Sequence, residues 1–85
     1  MAFNLTLFPN PTNERVYIDV SNFDQANAIV NIVNAAGVVV MRKSATALNG
    51  YFNLSLDVSK LAKGNYYVQI QNSNKTTISK SLIIE

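Results

Sequence analysis

Histidine and cysteine are both absent from this chain of 85 residues. Their absence removes the commonest general base, the commonest metal ligand and the thiol nucleophile together, and with them zinc and iron–sulfur chemistry. No disulfide framework can form, so thiols say nothing of the redox compartment. Charged residues are scarce, at 14%. The acids Glu14, Asp19, Asp24, Asp57 and Glu85 show no spacing that would pair two carboxylates on one strand face for hydrolysis. The bases Arg15, Arg42, Lys43, Lys60, Lys63, Lys75 and Lys80 leave a net charge of only +2 and form no stripe against which a nucleic-acid backbone would lie. Neither an enzyme nor a nucleic-acid binder is expected, and no cofactor or metal is called for.

Long apolar runs are also missing: nowhere do about 18 apolar residues follow one another, so no membrane-spanning helix is expected. The start, Met1-Ala2-Phe3-Asn4, lacks the charged and apolar regions of a secretory leader. Met1 and Ala2 read as a start appended to a piece of a longer protein, and residues 1–85 as a single domain.

What is abundant is hydrophobic surface, 48% of residues, arranged in short alternating runs between Pro, Gly and Asn clusters. Alternation with turn residues every 8–12 positions is the strand signal, and it predicts an all-β, immunoglobulin-like antiparallel sandwich of about seven strands. The first strand, about residues 3–8, must stop at Pro9-Asn10-Pro11, where two donors are missing and two φ angles are fixed. Residues 15–20 send Val16, Ile18 and Val20 to one face and Arg15, Tyr17 and Asp19 to the other. Residues 28–34 are apolar on both faces and so read as a central strand. Asn34-Ala35-Ala36-Gly37 is a hairpin loop on a type I turn, with Gly37 left-handed, leading into a strand over 38–44.

Asn49-Gly50 opens a fifth strand with Phe52, Leu54 and Leu56 inward. A crossover over 57–64 holds one helical turn at most, with Leu61 plugging the core. Strand six, 65–71, turns Tyr66, Val68 and Ile70 inward. After Asn72-Ser73-Asn74 the last strand covers 76–84. The spacing of Leu61, Gly64 and Tyr66 is similar to a tyrosine corner, although Ala62 stands where Asp is often found.

Candidate binding groups are few. Oxygen ligands cluster at Asn10, Thr12, Asn13 and Glu14, as in a calcium turn, but the same residues suit a turn that only reverses the chain. Tyr17 and Tyr67 point outward, either as contacts for sugar or peptide or as ordinary strand residues. Glycosylation sequons at Asn4, Asn53 and Asn74 are of a kind that an Asn-, Ser- and Thr-rich chain produces by chance. Lys80 falls in phase with Ile78, Leu82 and Ile84, which aims a charge toward the core face near a sheet edge. A guard against edge pairing, a side chain snorkelling beside a bulge, and a contact for a partner all remain open for it.

Four motifs occur in order: Phe8-Pro9-Asn10-Pro11-Thr12; Asn34-Ala35-Ala36-Gly37-Val38-Val39-Val40; Leu56-Asp57-Val58-Ser59 running to Leu61-Ala62-Lys63-Gly64-Asn65-Tyr66-Tyr67-Val68; and Lys80 before Leu82-Ile83-Ile84. In this order and spacing the chain resembles the C-terminal sorting domain of the type IX (Por) secretion system of Bacteroidetes, from about Leu5 to Glu85. Glu14 departs from the Gly common in the family after Pro-Asn-Pro, and the stretch Asn27 to Ala36 is unusually rich in Asn and Ala.

The resemblance implies a non-catalytic domain at the C-terminus of a fused cargo. It would direct that cargo from the periplasm through the outer-membrane translocon to the cell surface or the medium. The implied partners are the translocon, its shuttle proteins and a sortase-like surface protease that usually removes the domain. The implied motif positions are Pro9, Asn10, Pro11, Gly37, Asp57, Leu61, Gly64, Tyr66 and Lys80. The rival expectation is an immunoglobulin- or fibronectin-like accessory module that binds glycan or protein in an extracellular enzyme or adhesin. A third is a spacer or oligomerising unit that pairs through strand one or strand seven.

Overall fold

A computed structural model describes residues 3–72 and 77–85. Seven strands follow one another: β1 (Asn4–Phe8), β2 (Arg15–Ser21), β3 (Asn27–Asn34), β4 (Val39–Thr46), β5 (Phe52–Asp57), β6 (Gly64–Gln71) and β7 (Thr77–Ile84). They form two antiparallel sheets, a three-stranded one in the order β1-β2-β5 and a four-stranded one in the order β4-β3-β6-β7. No described residue is helical. The expected sandwich is therefore present, and β3 takes its central place between β4 and β6.

The alternation of each strand builds the core. Val16, Ile18 and Val20 of β2 meet Val30 and Ile32 of β3 and Val68 and Ile70 of β6 in a single buried cluster closed by Phe23, Phe52, Leu56 and Leu82. Phe23 stacks edge-on against Phe3 at 4.8 Å and Phe52 at 5.4 Å, so one ring ties the residue leading into β1, the β2–β3 connection and β5 together. Fully burying each such side chain stabilises the fold by about 1.5–3 kcal/mol.

The turns follow the residues that permit them. At the β3–β4 hairpin the Asn34 carboxamide accepts from the N–H groups of Ala36 and Val38, and Gly37 N–H donates to the Asn34 carbonyl. Gly37 sits at φ +84°, which is strained for any side chain. Past this turn the β3–β4 register shifts between Ile32 and Val33, so β4 begins at Val39, one residue later than expected, and runs on to Thr46. β6 begins one residue early, at Gly64. The expected start of the last strand at Thr76, the turn over residues 72–74 beyond Asn72, and the sequon at Asn74 lie outside the described residues.

The β5–β6 crossover corrects one expectation. Val58, fully buried, plugs the core, whereas Leu61 is half-buried and packs against the rim. The Val58 N–H is anchored on the Glu14 carbonyl at 2.8 Å, and the chain turns back through a bond from Leu61 N–H to the Val58 carbonyl at 3.0 Å. That turn leaves Leu61 a step above the core. The tyrosine corner is real: Tyr66 Oη donates to the Ala62 carbonyl at 2.6 Å. Because the acceptor is backbone, the Ala at position 62 does not disturb it.

Candidate recognition surface

Pro9-Asn10-Pro11 carries the chain out of the three-stranded sheet to the edge of the other before β2 returns it. β1 pairs with β2 as far as Phe8 opposite Tyr17 and then ends, since proline cannot donate to a ladder. Both bonds preceding the prolines, Phe8–Pro9 and Asn10–Pro11, are cis. Beyond them Thr12 makes a parallel bridge to Ile84, at the open edge of β7. Its N–H donates to the Ile83 carbonyl at 3.0 Å, and its carbonyl accepts from Glu85 N–H at 2.9 Å.

Asn10 reinforces this seam with its side chain. Its Nδ2 donates to the Ser81 carbonyl and its Oδ1 accepts from Ile83 N–H, both at 3.0 Å. The carboxamide thus stands in for a strand residue and completes the β7 edge over residues 81–83. Asn10 Oδ1 is engaged by the Ile83 N–H of β7, and Thr12 Oγ1 by the Arg15 carbonyl and the Glu14 N–H within the turn. Of the oxygen cluster seen in the sequence, the Thr12 hydroxyl thus serves the chain reversal and the Asn10 carboxamide the seam to β7. Among the described residues no group of three or more acidic, His or Cys side chains is placed to hold a metal.

Lys80 lies beside this seam. It pairs with the fully buried Val68 and so belongs to the core-facing row Met41, Ile32, Val68, Lys80. Its side chain is nevertheless exposed, because β7 is an edge strand of the wider sheet. The register of β7 on β6 is unbroken, so no bulge accompanies it. Lys43 is its counterpart on the opposite edge strand: it faces Val30 in the row Lys43, Val30, Ile70, Ile78 and is exposed as well. Sequence reasoning missed this pairing of edges, since the pattern of β4 shows no alternation from which its register could be read. It also missed β4 and β5 as edges alongside β1 and β7.

The remaining motif residues lie elsewhere and hold the fold. Gly37 and Gly64 occupy positive φ, at +84° and +152°. A cleft of about 240 Å³ separates the β3–β4 turn from the corner, lined by Ala35, Lys63, Gly64 and Tyr66 among others. Asp57 caps the start of the crossover: its Oδ1 accepts from Ser59 Oγ at 2.6 Å and Ser59 N–H at 2.9 Å. These bonds, helped by the charges of Arg15 and Lys60, hold its carboxyl below the ordinary carboxylate value.

Tyr17 and Tyr67 are both outward and roughly half exposed, on different sheets. Tyr17 stacks on Phe8 across β1 and β2, with ring centres 5.5 Å apart and planes at 19°. A cleft of about 340 Å³ adjoins them, lined by Pro9, Thr12, Asn13, Glu14, Arg15 and Tyr17. Tyr67 shares its outer-face row with Val33 and Val39.

A seven-stranded sandwich whose first turn is sewn onto its last strand defines the class as an immunoglobulin-like β-sandwich. Among solved structures the chain is similar to CopC from Methylosinus trichosporium OB3b, with 16% identity over 93% of this chain and 89% of that one and a TM-score of 0.51, a likeness of fold alone. No curated protein matches. The family model of the secretion system C-terminal sorting domain matches residues 6–85, and the chain belongs to that family, the sorting domains of type IX secretion. As a type IX sorting signal it implies a fused cargo, the secretion machinery, and export to the cell surface or beyond. No helix among the described residues is long and apolar enough to cross a membrane.

Proposed function

We propose that residues 1–85 act as one non-catalytic address domain at the C-terminus of a larger cargo. The domain is read in the periplasm by shuttle and translocon proteins, and a sortase-like protease then removes it at the surface. The observation that carries this reading is the seam: Pro9, Asn10 and Pro11 from one end of the chain and the residues around Lys80 from the other form one continuous exposed feature. Motif residues at Gly37, Asp57, Leu61, Gly64 and Tyr66 serve the fold that displays it. The test is a fusion of residues 3–85 to the C-terminus of a periplasmic reporter in a bacterium with a type IX system. Reporter accessible to external protease supports the reading, and reporter confined to the periplasm overturns it.

A second reading is favoured by one observation, the exposed Phe8–Tyr17 stack beside a polar cleft. Aromatic faces next to hydrogen-bonding groups suit sugar or peptide ligands, as an accessory module would require. A glycan-binding screen on the domain tests it, with Tyr17→Ala expected to abolish any hit at this cleft and Tyr67→Ala, on the other sheet, to leave it.

A further inference from the structure

The hydrogen bonds of the seam show which way the backbone of β7 faces. Ile83 N–H and C=O and Glu85 N–H all point away from β6, because they bond Asn10 and Thr12. In an antiparallel ladder such groups alternate along the strand, so the N–H and C=O of Ser81 and Ser79 face the same open side. Asn10 takes only the Ser81 carbonyl. The Ser81 N–H and both backbone groups of Ser79 are left at the edge with no partner among the described residues. The side chains flanking that edge on the outer face, Ser79 and Ser81, are too small to obstruct a neighbour.

We propose that this open half of β7, residues 79–81, receives an extended segment of the export machinery as an added strand, with a carboxylate of that segment opposite Lys80. The inference rests on the sorting reading and names its mode of contact. The edge already accepts backbone from Thr12 in strand fashion, and the added strand would continue the ladder that Asn10 terminates. Charge selects the occupant. Two copies pairing edge to edge through β7 would bring their Lys80 ammonium groups together on one face, and like charges opposite one another destabilise a ladder. An acidic strand meets the same lysine favourably. Lys43 guards β4 in the same way, but among the described residues no side chain bonds that edge as Asn10 bonds β7.

Proline substitution separates the proposal from a folding effect. The Ser79 N–H faces outward, so Ser79→Pro removes the donor offered to a partner and no bond to β6. Ser44→Pro is the control. The bond from Ala47 N–H to the Ala26 carbonyl and the β3–β4 register place Ser44 outward on the other edge. In the reporter fusion, Ser79→Pro is expected to lower surface exposure about tenfold, the effect of lost backbone hydrogen bonds, and Ser44→Pro to leave it unchanged. Lys80→Glu, which leaves the backbone intact, should lower export similarly while Lys43→Glu does not. Thermal unfolding of each domain checks that it still folds. Export by Ser79→Pro and Lys80→Glu at the parent level overturns the edge proposal and leaves the sorting reading standing, as does equal loss in the β4 controls. A parent fusion that never leaves the periplasm overturns both.

Discussion

Replacing Asn10 with alanine deletes both hydrogen bonds by which the first turn grips β7 and leaves the backbone bonds of Thr12 in place. Because Asn10 is exposed, water can take over the freed Ser81 carbonyl and Ile83 N–H, and no buried group is left unsatisfied. Each bond then contributes only the lower end of the usual net value, about 0.5 kcal/mol, giving about 1 kcal/mol for the pair. In a domain of this size that lowers the thermal midpoint by about 4–8 °C. In urea the midpoint should fall by about 1 M at an unchanged slope. Circular dichroism of parent, Asn10→Ala and Asn13→Ala, an exposed neighbour on the same turn, makes the comparison. The reasoning is refuted if Asn10→Ala stays within about 0.5 kcal/mol of the parent, the ordinary scatter of surface changes.

Val58→Ala should cost about 2–3 kcal/mol, two buried methyl groups plus the cavity they leave, while Leu61→Ala costs about 1; equal costs in urea unfolding would restore Leu61 as the plug. Tyr66→Phe keeps the buried ring and loses the bond to Ala62, so stability should drop by about 1 kcal/mol, read by the same assay. The lowered pKa of Asp57 predicts stabilisation that is fully present above its ordinary value of 3.8 and is lost as pH falls through the folded value. Parent and Asp57→Ala should therefore differ at neutral pH and converge in acid, and a gap that persists or widens at low pH would contradict the assigned cause.

Much of the sandwich could be read from residues one strand at a time. Val16, Ile18 and Val20, or Tyr66, Val68 and Ile70, declare their buried face by alternation alone, and Gly37 declares its turn because glycine takes that left-handed φ without strain. The corner was legible because its partners lie only four residues apart. The seam was not. Asn10 meets Ser81 from 71 residues away, and nothing local in Pro-Asn-Pro says that its carboxamide will finish another strand's ladder. Lys80 was placed in the right phase and near a sheet edge, yet phase does not reveal that this edge belongs to the wider sheet, or that Lys43 faces the same way on its opposite edge. In the crossover no period applies, so Leu61, the larger residue, looked like the plug, and the anchoring of Val58 on Glu14 reversed the order.

The most direct measurement is the fraction of a reporter carrying residues 3–85 at its C-terminus that reaches the cell surface, compared between isogenic strains with and without the type IX translocon. Surface reporter only in the intact strain is the outcome required of a folded domain that serves as an export signal. The same surface fraction in both strains, or none in either, would contradict it.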